Sequence, residues 1–111
     1  MKDYYNLFIK LSLQQCIINN YSNILEVKKH NAASKKLDKL KNEMKQNVSE
    51  DILYMLLNYE DDRVKVNAAS LCLQMNVLVD QAVLTLKNII DFSDDTTICF
   101  SAKMLLKSVN N

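Results

Sequence analysis

The stretch LLNYEDDRVKVNAASLCLQ, residues 56–74, decides the fold. It closes one apolar run at Leu56 and Leu57 and turns through Glu60, Asp61 and Asp62. It then sets Val64, Ala68, Leu71 and Cys72 at helical spacing, with Met75 just beyond. Positions three and four apart share one face of a helix, so these residues predict a helix with a single apolar stripe. Carboxylates ahead of that stripe accept from the unpaired N–H groups of a helix start and complement its dipole. The acidic turn therefore caps the helix, and Asn76 supplies a left-handed stop.

The same grammar extends in both directions. Ser49, Glu50 and Asp51 open a short helix carrying Ile52, Leu53, Met55, Leu56 and Leu57 and ending near Tyr59. Downstream, Asp80 opens a helix with Ala82, Val83, Leu86, Ile89 and Ile90 on one side. After a loop at residues 92–96, Asp95 or Thr96 caps a last helix bearing Ile98, Ala102, Leu105, Leu106 and Val109. Toward the N-terminus, residues 3–20 carry Tyr4, Leu7, Phe8, Leu11 and Ile18 on one face, with Tyr5, Ile9 and Cys16 as a second stripe. A polar break at residues 19–23 follows, and Asn23 with Glu26 has the form of a capping box. The helix beyond it runs from about Ile24 to about Gln46 and has one narrow seam of Ala33, Leu37, Leu40 and Met44.

These periodicities predict an all-α chain of six helices in antiparallel pairs. Composition agrees: the 111 residues contain neither Gly nor Pro, and the tight turns of β-hairpins and Gly-rich phosphate loops want positive-φ positions that Gly fills best and Asn or Asp less readily. A hydrophobic share of 49% and a charged share of 24% are a globular balance, expected to fold as one domain over residues 1–111 without a disulfide or metal staple. The last four helices repeat a pattern of apolar helix, acidic turn and mixed small and large face, with Val64-Ala68-Leu71 in one unit and Ile98-Ala102-Leu105 in the other. Small residues let helices approach closely, as stacked helix pairs require. Two such units are short for a repeat array, so the first two helices are expected to act as a cap or irregular third unit.

Residues 56–74 resemble a HEAT repeat in their acidic turn, the Val one turn in, and the paired Ala before Leu. KKHNAASKKLDKL (28–40), LLNYEDDRVKVNAASLCL (56–73) and FSAKMLLKSV (100–109), in that order, resemble a family of small bacterial HEAT-like domains known only as a domain of unknown function. The resemblance implies a HEAT-like α-α superhelix, a short α-solenoid. It brings no established activity, but suggests an association with toxin–immunity loci, where small helical proteins neutralise a toxin by binding it. The family's tryptophans near the end of the last helix and before the Ala pair are replaced here by Val109 and Asn67, so nothing carries over at those positions.

Candidate chemistry is sparse. His30, the single histidine, stands among Lys28, Lys29, Lys35 and Lys36 and reads as an exposed helix position. Cys16, Cys72 and Cys99 are widely spaced with no paired motif, which suits small core residues in a reducing cytoplasm better than zinc ligands. Acid pairs at 61–62 and 94–95 fall at helix starts, where they are stabilising in any case. No convergent acid, base or nucleophile emerges, so neither a catalytic set nor a cofactor is expected. No apolar run nears the ~18 residues of a membrane span, and the N-terminus reads as a first helix and not a signal peptide.

Charge is the informative remainder. The net charge is +1, but residues 1–48 hold nine Lys against four acids, and residues 49–111 hold five Lys or Arg against nine acids. At about 100° per residue, Lys28, Lys29, Lys35, Lys36 and Lys39 lie opposite the Leu37 seam. They form either a solvated face or a phosphate-binding stripe, though the forked donor that phosphate readers favour is nearly absent, Arg63 being the single Arg. Turns within stacked helix pairs lie at one end of the stack, which should gather Glu60, Asp61, Asp62, Asp91, Asp94 and Asp95 into an acidic edge. Such an edge would steer toward a basic protein such as a toxin domain. The expected function is thus a non-enzymatic, cytoplasmic protein-binding module of the immunity or antitoxin kind. The alternative is a nucleic-acid-associated protein using the Lys-rich second helix.

Overall fold

A computed structural model describes residues 3–14 and 24–109, leaving aside the side chains of residues 24–31 and 33. Six helices are present, α1 (Tyr4–Gln14), α2 (Ile24–Asn47), α3 (Glu50–Leu57), α4 (Asp62–Met75), α5 (Val79–Phe92) and α6 (Thr96–Val109), and no strand occurs among the described residues. The chain is all-α, its neighbouring helices packed as in a helical-repeat arrangement. None of the described helices is long and apolar enough to cross a membrane. Two compact units divide it, Met1–Val48 and Ser49–Asn111. The boundary coincides with the change in charge balance.

In the first unit α1 packs on α2. Its core is one seam: Phe8, Ile9 and Ser12 from α1 against Leu37, Leu40 and Met44 from α2. The expected second stripe on α1 is present at Ile9, whereas Cys16, the polar break and Asn23 of the capping box lie outside the described residues. Asp3 caps α1, accepting from the backbone N–H of Asn6 at 3.1 Å and from its amide at 2.6 Å. These two bonds favour the carboxylate and lower its pKa. Lys41 stands half-buried beside the seam. Burial lowers its pKa, Asp38 opposes that shift, and Lys45 adds to it.

In the second unit α3 and α5 are neighbours, as are α4 and α6, and consecutive helices also touch. That pattern is two layers of two helices joined by short turns. Leu53, Leu56 and Leu57 meet Val64, Ala68, Ala69, Leu71 and Cys72, while Ala82, Leu86 and Ile89 come from α5. The two repeated triplets differ in depth. Val64, Ala68 and Leu71 are fully buried, whereas only Ala102 is buried on α6 and Ile98 and Leu105 are half-exposed. In the described contacts α4 has three helical neighbours and α6 has two, so the same sequence pattern seals the middle and leaves the end open.

Helix ends refine the expected caps. Ser49 has extended backbone but no side-chain capping bond. Asp61, and not Asp62, caps α4 by accepting from the backbone N–H of Arg63 at 2.9 Å. Asp62 already lies inside the first turn, where its charge complements the helix dipole without a capping bond. Asn76 is left-handed at φ 56° as expected, and Val77 N–H closes on the Cys72 carbonyl at 3.0 Å. Asp80 does not open α5. The helix begins at Val79 after Leu78, which is itself left-handed at φ 49°, a conformation costly for a branched side chain in a chain without glycine.

Candidate functional site

Within the second unit, the turn between α3 and α4 and the turn between α5 and α6 meet around one cavity of about 480 Å³. Leu57, Asn58 and Asp62 line it from the first turn, and Ile89, Phe92 and Ser93 from the second. Lys65, Thr85 and Asn88 complete the wall. The floor is apolar through Leu57 and Ile89, both nearly inaccessible, and the rim is polar. Short connections cause this arrangement. Each turn is only a few residues long, so paired helices run antiparallel and their turns fall at the same end.

The six acids behave differently once placed. Asp61 is already engaged: besides its capping bond it receives Arg63 Nε at 3.1 Å and Nη2 at 2.9 Å. The Arg63 side chain is the main reason its pKa is lowered, and partial burial opposes the shift. Asp95 caps α6, accepting from the N–H groups of Thr97 at 2.9 Å and Ile98 at 3.2 Å. Both residues therefore fix the turns more than they present charge. Glu60, Asp91 and Asp94 are exposed on or beside the two turns, and Asp62 faces the cavity. The charge available to a partner is that of four carboxylates, tempered by Lys65 in the wall.

The sequence pattern places Phe92 only at the start of a loop. It is the last residue of α5, lines the cavity and is 81% exposed, more than any other large apolar side chain described. Periodicity could not flag it, because an aromatic at a helix end has no following turn to assign it a face. Its immediate neighbours do carry a signal: DFSDD, residues 91–95, embeds one aromatic among three acids. The turn around it is held firmly. Asp95 N–H donates to Ser93 Oγ at 3.2 Å, and Cys99 Sγ lies 3.5 Å from the carbonyl oxygens of Ile89 and Ser93.

The lysine stripe maps to the first unit. Lys35, Lys36 and Lys39 are exposed; the side chains of Lys28, Lys29 and His30 lie outside the described residues. Lys36 and Lys39 do not simply point away from the helix pair. They line a small groove of about 190 Å³ with Leu7 and Leu11 of α1 and with Leu40 and Glu43. An apolar floor between lysines differs from a phosphate cradle, which would present N–H donors at its base. Among the described residues no group of three His, Cys, Asp or Glu is placed to hold a metal ion. Cys72 and Cys99 are free thiols.

Comparison with known proteins places the chain in a family. A family model described as domain of unknown function (DUF2019) matches residues 2–110, and the protein belongs to that family. No curated protein and no solved structure is matched by this chain.

Proposed function

We propose that this member of a family without an assigned activity is a non-enzymatic protein-binding module that neutralises a basic bacterial toxin by direct contact. The observation carrying this reading is the meeting of two turns on one cavity lined by exposed Phe92 and by Asp62, with Asp91 and Asp94 exposed beside Phe92 in the chain and Glu60 exposed on the other turn. Interfaces draw most of their energy from a few aromatic or Arg anchors ringed by polar contacts, and an aromatic set in acidic surroundings suits a partner rich in Lys and Arg. The fixed helix ends support it further: a turn tied by Asp61, Asp95 and Ser93 loses little freedom on binding. Free thiols at Cys72 and Cys99 suit work in a reducing cytoplasm.

The test is co-expression of the full chain with the product of the gene directly upstream of its own. Rescue of growth and co-purification of the two proteins support the reading. The decisive arm replaces Glu60, Asp62, Asp91 and Asp94 together by Lys and should abolish both. A reversal variant that still folds, rescues and co-purifies would refute the assignment of this face.

A further inference from the structure

The two units carry surfaces that match each other, and nothing in the toxin-binding reading requires this. One is a protrusion. Phe92 stands 81% exposed, between Asp91 and Asp94, both exposed. The other is a recess. Leu7 and Leu11, half-buried on α1, and Leu40 on α2 form an apolar groove of about 190 Å³ with Lys36 and Lys39 exposed beside it. Apolar cavities on the order of 150 Å³ accept a benzene ring, so the recess has the size for one aromatic side chain. The signs are also opposite, acidic around the aromatic and basic around the groove.

From this match we infer that copies of the chain associate head to tail. Phe92 of one copy seats in the α1–α2 groove of the next, and Asp91 and Asp94 face Lys36 and Lys39. The net charge of +1 leaves little overall repulsion to oppose such contacts. Glu43, also at the groove, tempers the attraction without reversing it, because residues 1–48 carry nine Lys against four acids. The contact is heterologous: different surfaces of the two copies meet, so each added copy leaves one protrusion and one groove free. The inference stands apart from the toxin-binding reading, although both use the acidic rim. Self-association would therefore compete with capture of an outside partner.

Mixing variants of the full chain tests this. Sedimentation velocity of the wild type should show concentration-dependent association in low salt that weakens in 1 M salt, where the Debye length falls to about 3 Å. Phe92→Ser removes the protrusion, and Lys36→Glu with Lys39→Glu spoils the groove. Each variant alone should associate on the order of tenfold more weakly. Both alter exposed positions, and helical circular dichroism checks that each remains folded. Mixed together they retain one good protrusion and one good groove, and should form a 1:1 dimer that grows no further. A wild type that stays monomeric at every concentration overturns the inference. So does association that survives both variants, or a mixture that remains monomeric when the wild type does not. Rescue of growth by the upstream gene product is a separate readout that does not require self-association, so the two readings fail separately.

Discussion

The helix pair over residues 1–48 and the four-helix unit over residues 49–111 bury apolar side chains by different means. In the pair, a 24-residue α2 contributes three described core residues, Leu37, Leu40 and Met44, and most of its remaining described surface is polar or basic. In the four-helix unit, the eight residues of α3 and the fourteen of α4 contribute Leu53, Leu56, Leu57, Val64, Ala68, Ala69, Leu71 and Cys72. A helix with one described neighbour, as α2 has, needs one seam, whereas a helix with several needs apolar residues around more of its circumference. The contrast teaches where charge can collect. Lys35, Lys36 and Lys39 are exposed on α2, whereas the acids of the four-helix unit lie at helix ends and turns, where they can cap as well as repel.

The largest expected effect probes this difference in packing. Leu71→Ala, at a fully buried site among α4's three helical neighbours, should cost about 2–5 kcal/mol in urea unfolding. Leu37→Ala should fall below it, because a seam between two helices closes over a deletion or admits water more readily. Hydrogen exchange read separately on α2 and α4 measures each loss, and equal losses would break the contrast.

Next come the turns. Asp61→Ala and Asp95→Ala should each cost about 1 kcal/mol, the worth of a capping bond, whereas Asp62→Ala should stay within about 0.5 kcal/mol. Thermal melts of the three variants check this ordering. If Asp62→Ala were the most damaging, the cap would have been assigned to the wrong acid.

Cys72 sharpens the picture of the second core. Burial, with the charge of Glu50 adding to it, raises its thiol pKa from an ordinary 9.0 to about 11. The folded state thus holds this proton more tightly than the unfolded chain does. Its contribution to stability is complete below pH 9 and is lost as pH rises through about 11. Chemical denaturation from pH 8 to 11 should show that fall, and Cys72→Ala should lack this component of it. Native Cys72 should also react with a thiol reagent much more slowly than after unfolding.

The smallest effect belongs to the basic face. Changing Lys35, Lys36 and Lys39 together to Gln should alter stability by less than about 0.5 kcal/mol, since exposed charges contribute little. A larger loss in a denaturant titration would mean that these side chains support the helix pair itself.

Much of this architecture was legible in residues 56–74, because acidic turn, Val64, Ala68 and Leu71 state cap and buried face together. Asn76 was legible for a related reason, being a residue that tolerates the left-handed region. Leu78 was not: no composition rule places a leucine at φ 49°. The candidate site was legible in its charges and obscure in its center. Acids announce themselves by type, but which of them are spent on backbone N–H groups depends on one-residue shifts in helix start, as Asp61 and Asp62 illustrate. The exposure of Phe92 depends on where α5 stops, and an apolar residue in sequence reads equally well as core.

On the proposed function, the acids of the two turns guide a basic partner onto the second unit. Association kinetics of the co-purified pair, measured from 0.01 M to 0.5 M salt, test it most directly. Reversal of Glu60, Asp62, Asp91 and Asp94 to Lys should slow association at least tenfold at low salt, and the two curves should converge as screening rises. Association rates that match the wild type at every salt concentration, in a reversal variant with an unchanged melt, would rule out guidance by these acids.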